Sequence, residues 1–267
     1  MSTPDHDAPL LFFDSGIGGL SVLQAVQAAL PNAPIVYAAD YAGLPYGTKS
    51  EAEIAARVPA LLGRLVERYS PRLVTIACNT ACTIALSHVR AALNVPVVGT
   101  VPAIKPAAET TQSGVIGLLG TAATIRQPYV DRLQADHAGG MTLLRHAAPE
   151  LVEAAEAKMR GEVVDPGVYV RAMQGLMGRP EGDRLDVTIL GCTHFPLVQD
   201  ELSAAAPGMR FVDGAAGIAR QISYLTTGQG WPSDTPGGIF ITTGTTGDAE
   251  PLRPALSSFG IAKIHSL

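Results

Sequence analysis

Two of the three cysteines stand in sequence settings that suit acid/base chemistry. Cys78 and Cys192 each follow a short run of apolar, mostly β-branched residues, and each has a threonine close behind it. A thiol placed where a strand turns into a helix is favoured as thiolate by the helix amino terminus. Cys82, four residues after Cys78, is better explained as a small buried side chain on that helix. The pattern indicates two reactive thiols in different parts of the chain.

A pair of thiols can racemise an amino acid by a two-base route. One thiolate removes the α-proton from one face, and a thiol on the opposite face delivers a proton. Their roles exchange with the direction of reaction, so matched residue types at related positions are expected. Each thiol needs a neighbour that manages its proton, and Asp14 and His194 are the candidates. A helix cap for Asp14 and a structural histidine for His194 are the alternatives.

An amino-acid substrate also needs its charged groups held. Backbone amides and hydroxyls of Asn79, Thr80 and Thr193, at the starts of predicted helices, form anion sites. Tyr46 and Gly47 lie in a Pro- and Gly-containing loop, and their hydroxyl and amide could hold another carboxylate. An ordinary turn is the alternative for that loop.

The two cysteines belong to an internal repeat. Residues 72–80 and 184–194 each form a strand-like run that ends in a cysteine and a threonine. A looser correspondence relates residues 13–16 to residues 119–122. The repeat predicts two pseudo-symmetric lobes that face each other across a cleft, with the active site in that cleft.

Short apolar runs alternate with longer helical ones, which predicts an α/β fold with mainly parallel sheets. Several runs lack polar alternation, as strands buried on both faces do. The predicted strands are Leu10–Phe13, Ile35–Ala38, Leu73–Ala77, Val97–Val98, Gly114–Leu119, Met141–Leu144, Val187–Leu190 and Ile239–Thr242. The predicted helices include Ser21–Leu30, Glu51–Tyr69, Thr80–Leu93 and Leu151–Arg160.

The Pro-rich segment 96–106 suits a crossover between lobes. We therefore predict a first lobe at residues 1–97 plus 213–267 and a second lobe at residues 98–212. The first would carry Asp14 and Cys78, and the second would carry Thr121, Cys192 and His194.

Composition excludes several classes of protein. The chain has 267 residues, 47% of them apolar and 16% charged, so it can bury a sizeable core. Its net charge of −5 and its scattered basic residues do not suit a nucleic-acid or membrane-surface protein. No apolar run approaches the roughly 18 residues of a membrane span, and the amino terminus is acidic where a signal peptide is basic. A cytoplasmic protein is the expectation.

Together the motifs resemble those of the bacterial glutamate racemase family, within the aspartate/glutamate racemase superfamily. The matching segments, in family order, are Phe13–Leu23, Leu44–Gly47, Ala77–Ala81, Gly120–Thr124 and Leu190–Leu197. The resemblance implies two flavodoxin-like α/β lobes and no pyridoxal phosphate or metal. It also implies production of D-glutamate for peptidoglycan, and it makes a homodimer an expectation.

The resemblance also carries residue roles by position. It implies that Cys78 exchanges its proton with D-glutamate and Cys192 with L-glutamate, with Asp14 and His194 as their respective auxiliaries. The implied substrate-binding residues are Asp14, Ser15, Tyr46, Gly47, Asn79, Thr80, Thr193 and His194.

The chain departs from the family pattern in two places. Gln127 stands where a serine is expected, and residues 147–150 lack the Cys-Pro pair that the family often shows. An auxiliary glutamate is expected near Cys192. Glu153 and Glu156 are both candidates for that glutamate.

Three other functions are compatible with parts of the sequence. Residues 16–21 nearly spell the glycine fingerprint of a dinucleotide-dependent oxidoreductase, with Asp40 ending the next strand, but Ser21 takes the third glycine position. A zinc module would use Cys78, Cys82, Cys192 and His194, although the chain has no Cys-x-x-Cys knuckle. A racemase of aspartate or another small amino acid is the third alternative.

Overall fold

The computed structural model describes residues 5–234 and 237–267. Residues 1–4, which belong to the predicted first lobe and to the acidic amino terminus, lie outside the described residues. The strands are Leu10–Asp14 (β1), Ile35–Ala39 (β2), Leu73–Ile76 (β3), Val97–Val98 (β4), Val115–Gly120 (β5), Thr142–Ala147 (β6), Val187–Leu190 (β7), Arg210–Val212 (β8), Gly238–Thr242 (β9) and Ile261–Ser266 (β10).

Helices follow most of the strands. They are Leu20–Ala29 (α1), Glu51–Tyr69 (α2), Asn79–Ala92 (α3), Ile104–Thr110 (α4), Ala122–Ile125 (α5), Pro128–His137 (α6), Glu150–Met159 (α7), Gly167–Met177 (α8), Gln199–Ala205 (α9), Ala215–Leu225 (α10), Thr246–Ala249 (α11) and Arg253–Ser258 (α12). Among the described residues, none of these helices combines the length and the hydropathy needed to cross a bilayer.

The chain forms two compact units, and each contains one sheet. One unit comprises the residues up to Thr100 together with Ala215–Leu267, and the other comprises Val101–Gly214. The first has the strand order β10-β9-β2-β1-β3-β4, and the second has the order β6-β5-β7-β8. All neighbouring strands in both sheets are parallel. The prediction of an α/β fold with mainly parallel sheets is confirmed.

The central strands are buried on both faces, which explains their continuous apolar sequences. Every residue of β1, β2, β3, β5 and β7 is buried. The sequence prediction found these strands and missed β8 and β10. Both of those are edge strands, and β10 is mostly exposed after its first residue, with a lysine and a histidine in its sequence. An edge strand needs less apolar surface, so its sequence signal is weaker.

Both sheets share one winding pattern. In each unit the chain passes from one strand to a neighbour on one side, and then returns to a neighbour on the other side. The strand order 2-1-3-4 that results is that of flavodoxin-like sheets. The direction of winding reverses between β1 and β3 in one unit and between β5 and β7 in the other. Ligands of such sheets bind beyond the carboxyl ends of the strands at this switch point.

Candidate active site

Cys78 lies just beyond β3, at the switch point of the first unit's sheet. It is the amino-terminal cap of α3, and its Sγ accepts a hydrogen bond from the backbone N–H of Ala81 at 3.5 Å. The residue is buried, with 6% of its surface exposed. The thiol faces the positive amino terminus of the 14-residue helix α3, a position that suits a thiol used as an acid/base group.

Asp14, at the end of neighbouring β1, reaches towards this thiol through Ser15. The Ser15 hydroxyl lies 3.3 Å from Asp14 Oδ1 and 3.7 Å from Cys78 Sγ. Asp14 is fully buried, and its Oδ1 also accepts the backbone N–H of Gly16 at 3.1 Å. When Ser15 donates to the carboxylate, its oxygen can accept the thiol proton. The three side chains can therefore pass a proton between Cys78 and Asp14.

Gly19, five residues after Asp14, is required by close packing. A Cβ on Gly19 would lie 2.8 Å from Ala77 Cβ and 2.9 Å from the Tyr37 hydroxyl, which donates to the carbonyl of Gly16. It would also lie 3.3 Å from Asp14 Oδ2. A glycine here lets the loop approach the Asp14 carboxylate, so the glycine-rich motif has a function without a dinucleotide.

Asn79 and Thr80 form the first turn of α3, directly after Cys78. Both are buried, with 6% and 3% of their surfaces exposed. Their place at a helix amino terminus beside the thiol is compatible with the anion-binding role predicted for them. That role stays a prediction.

Tyr46 is buried, and its hydroxyl donates to Asp40 Oδ2 at 2.5 Å. Burial and the negative charge of Asp40 hold the pKa of Tyr46 far above its ordinary value, so the phenol is neutral. Its single proton is thus used within the protein, and the predicted donation to a substrate carboxylate would require another arrangement. Gly47 follows in the 3₁₀ turn Tyr46–Thr48, where its predicted binding role stays untested.

Cys192 occupies the corresponding switch point in the second unit. It follows β7 and Gly191, and it is buried with 7% of its surface exposed. A Cβ on Gly191 would lie 2.6 Å from Leu118 Cδ1 and 2.7 Å from the backbone oxygen of Leu119. Because a backbone oxygen cannot easily move aside, only glycine fits at the residue before this thiol.

His194 connects Cys192 to a carboxylate. Its Nδ1 lies 3.8 Å from Cys192 Sγ, and its Nε2 lies 3.0 Å from Glu156 Oε1. His194 and Glu156 are both buried, whereas Glu153 is exposed. If Nε2 carries the proton and donates to the carboxylate, Nδ1 presents a lone pair to the thiol. The structure thus distinguishes the two glutamates that the sequence left open, and Glu156 is the one beside His194.

Arg160 extends this line of side chains. Its Nη2 lies 3.6 Å from Glu156 Oε2, one helical turn away. Arg160 was not predicted from the sequence, although its i,i+4 spacing from Glu156, at the end of α7, was a signal.

Thr193 and Thr121 complete the polar residues at this end of the second sheet. Thr193 lies between Cys192 and His194 and is buried. Thr121 follows β5 and caps α5, where its hydroxyl oxygen accepts the backbone N–H of Thr124 at 3.2 Å. Both stand at the switch point, and the substrate contact predicted for Thr193 stays a prediction.

Cys82 differs from the other two thiols. Its Sγ accepts the backbone N–H of Thr100 at 3.1 Å, and burial raises its pKa to about 11. It is therefore a neutral, structural thiol. Among residues 5–234 and 237–267, no group of three or more His, Cys, Asp or Glu side chains is arranged to hold a metal ion. The zinc alternative gains no support from the structure.

Comparison with known proteins identifies the family. The family model described as Asp/Glu/Hydantoin racemase matches residues 20–222. The glutamate racemase of Sphingopyxis alaskensis is 62% identical over 268 residues, covering all of both chains. That of Salmonella typhimurium is 41% identical, covering all of this chain and 94% of the relative.

Solved structures of glutamate racemases support the same family assignment. The crystal structure of Escherichia coli glutamate racemase, in complex with L-glutamate and an activator, superposes with a TM-score of 0.89 at 40% identity, covering 97% of this chain and 98% of that one. The alternative of a dinucleotide-dependent oxidoreductase is therefore set aside. The chain belongs to the Asp/Glu/hydantoin racemase family, in its glutamate racemase branch.

Proposed function

We propose that this protein interconverts L- and D-glutamate, with Cys78 and Cys192 as its two acid/base groups. The observation that carries the proposal is the placement of the thiols. Each lies at the switch point of its own parallel sheet, and each has its own proton-accepting partner. Full-length similarity to glutamate racemases supports glutamate as the substrate.

The proposed reaction moves two protons. Starting from D-glutamate, the Cys78 thiolate takes the α-proton, and the electron pair of the broken C–H bond remains on the α-carbon. The Cys192 thiol then donates its proton to the opposite face of that carbon, which gives L-glutamate. Cys78 is left as thiol and Cys192 as thiolate, which is the state that the reverse reaction needs.

The neighbours of each thiol manage these protons in different ways. Asp14 acts on Cys78 through the Ser15 hydroxyl, and its carboxylate is held by the backbone N–H of Gly16. His194 acts on Cys192 directly, and Glu156 stabilises the imidazolium that forms when His194 takes the thiol proton. We therefore predict that substitutions at Asp14 or Ser15 mainly affect proton transfer at Cys78. Substitutions at His194 or Glu156 should mainly affect proton transfer at Cys192.

The test is racemisation of both enantiomers, followed by circular dichroism without added pyridoxal phosphate or metal. Cys78→Ala and Cys192→Ala should each lower kcat by about a thousandfold or more, because each removes one of two required proton-transfer groups. Enantiomers have equal free energies, so kcat/KM must fall equally in both directions.

Cys82→Ala is the matched control, since it removes a buried thiol from the same helix. It should keep nearly full racemase activity while it lowers the free energy of unfolding. Full activity in either of the first two variants would refute the two-thiol mechanism. Activity on aspartate in place of glutamate would leave the mechanism intact and change the substrate.

D-Glutamate made in this way would serve peptidoglycan synthesis, and a homodimer is part of the proposal. Both come from the resemblance to the family.

A further inference from the structure

Asp40 is a fully buried carboxylate that the racemisation chemistry does not use. It follows β2 at the carboxyl edge of the first unit's sheet, and its backbone N–H donates to the carbonyl of Asp14 at 2.9 Å. Burial opposes ionisation of the side chain, but hydrogen bonds from Arg57, Thr243 and Tyr46 outweigh it and hold the pKa of Asp40 below its ordinary value. A buried carboxylate stays ionised only when several donors surround it in good geometry, so these hydrogen bonds fix the position of the Asp40 side chain.

The partners of Asp40 come from three separate segments. Arg57, on α2, donates from Nε to Oδ2 at 2.5 Å and from Nη2 to Oδ1 at 2.7 Å. Thr243, just after β9, donates to Oδ1 at 2.6 Å, and its hydroxyl oxygen accepts the backbone N–H of Ala42. Tyr46 donates from the loop between β2 and α2. The Asp40 carboxylate therefore links the loop that contains Tyr46 to α2, through Arg57, and to the end of β9, through Thr243.

The loop is packed directly onto the carboxylate. A Cβ on Gly43 would clash with Asp40 Oδ2 and would lie 2.9 Å from both Arg57 Nε and Tyr46 Cε1. Only glycine leaves room for the three side chains to meet. The buried Tyr46 ring in turn belongs to the apolar cluster that contains Cys78.

We propose that Asp40 and Arg57 are positioning residues for the Cys78 half of the reaction. They fix the Tyr46 ring and its loop against Cys78, so that the thiol is held in the geometry that proton transfer needs. The proposal rests on the proposed function only where it assigns Cys78 to D-glutamate. Asp40, Arg57, Tyr46 and Thr243 all belong to the unit that contains Cys78, whereas Cys192 belongs to the other unit.

Arg57 is the residue to vary, because its side chain is 31% exposed whereas Asp40 is fully buried. Arg57→Ala leaves a buried carboxylate without its cation, and the removed guanidinium leaves an opening to solvent. Arg64→Ala is the matched control. Arg64 lies two turns further along α2 and is exposed.

The first measurement is the rate of iodoacetamide modification of each cysteine, read by mass spectrometry. We expect Cys78 to react about tenfold faster in Arg57→Ala than in wild type, since a loosened loop uncovers a thiol that needs exact placement. Cys192 should change by less than about twofold, because it lies in the other unit. Arg64→Ala should match wild type at both thiols.

The second measurement is the primary isotope effect with each enantiomer deuterated at the α-carbon. In Arg57→Ala the effect should rise for D-glutamate, whose proton Cys78 removes, and should not rise for L-glutamate, whose proton Cys192 removes. Ethylguanidinium below denaturing concentration should reverse this change and slow Cys78 modification again. A residue that merely supports the fold would not produce an effect confined to one enantiomer.

An unchanged rate at Cys78, or equal changes at both thiols, would overturn the proposal. If Arg57→Ala does not fold, Arg57→Lys replaces it, because lysine keeps the positive charge but cannot form the bidentate pair with Asp40. The modification rates of Cys78 and Cys192 are then compared in that variant. If wild type fails to racemise glutamate, the proposed function fails, and the thiol-modification rates still decide whether Asp40 and Arg57 position Cys78.

Discussion

At the scale of single residues, Cys78 and Cys192 have chemically different hydrogen-bonding neighbours. Cys78 reaches a carboxylate through a neutral hydroxyl, whereas Cys192 faces an imidazole that is itself held by a carboxylate. The second arrangement resembles the hydrogen-bonded histidine of other acid/base sites, where a carboxylate fixes the tautomer and stabilises the charged ring. Glu156 should therefore matter for the reaction even though it does not touch the thiol.

Glu156→Gln tests this role. The amide keeps the shape of the side chain but cannot stabilise a positive imidazole, so we expect kcat to fall by about a hundredfold. The isotope effect should rise for L-glutamate deuterated at the α-carbon, because Cys192 removes that proton.

Glu153→Gln is the control for this variant, since Glu153 lies on the same helix and is exposed. It should behave as wild type in rate and in isotope effect. A Glu156→Gln enzyme with wild-type kcat would show that His194 works without a charged partner.

At the scale of elements, Asp186 joins the connection after α4 to the start of β7. It accepts hydrogen bonds from the Thr111 hydroxyl at 2.6 Å, from the Gln112 N–H at 2.8 Å and from Ser113, and it pairs with Arg210 of β8 at 2.7 Å. Burial opposes its ionisation, but these bonds outweigh burial and lower its pKa to about 2. The carboxylate thus stabilises the second sheet in its ionised form.

Asp186→Asn should lower the free energy of unfolding at neutral pH by about 1–3 kcal/mol, because donors lose a charged acceptor. The pKa of Asp186 in the folded protein lies below its ordinary value of 3.8, so the ionised carboxylate makes its full contribution to the free energy of unfolding above pH 3.8. It is lost as the pH falls towards about 2. Urea unfolding at several pH values measures both effects.

The difference in stability between wild type and Asp186→Asn should accordingly shrink as the solution is made acidic. Asp183→Asn is the control, because Asp183 is exposed three residues earlier. A stability difference that does not change with pH would mean that shape, and not charge, explains the effect of the substitution.

At the scale of the whole molecule, the chain leaves the first unit and returns to complete it. The returning segment supplies α10, β9 and β10, and the residue after β9, Thr243, donates a hydrogen bond to Asp40.

Arg72 joins distant parts of the same unit. Its guanidinium donates to the carbonyls of Asp5, His6, Ala8 and Gly230 and stacks on Trp231, 3.9 Å from the ring centroid.

The proposed homodimer is the prediction at this scale. Sedimentation velocity should give a species of twice the 27.7 kDa chain mass at micromolar concentration. Dilution should shift the distribution towards the single chain, since association follows mass action. A single-chain mass at every concentration would contradict the proposal, and the thiol chemistry would be unaffected by that result.

The local sequence was enough to predict which cysteines are the candidate reactive thiols. Cys78 and Cys192 were recognisable because a buried strand, a turn and a helix start each leave a signature within about ten residues. The central strands were recognisable for the same reason. Edge strands such as β10 were not, because partial burial demands little of their sequence.

Only the tertiary structure decided how those residues are supported. Glu156 lies 38 positions before His194, and Asp40 lies 203 positions before Thr243. No periodicity links residues so far apart, since their contact depends on how the helices and strands pack. The sequence left Glu153 and Glu156 equivalent, and packing buried one and exposed the other. The sequence also predicted a substrate role for Tyr46, which stays a prediction, and gave no sign of the hydrogen bond that its hydroxyl donates to Asp40.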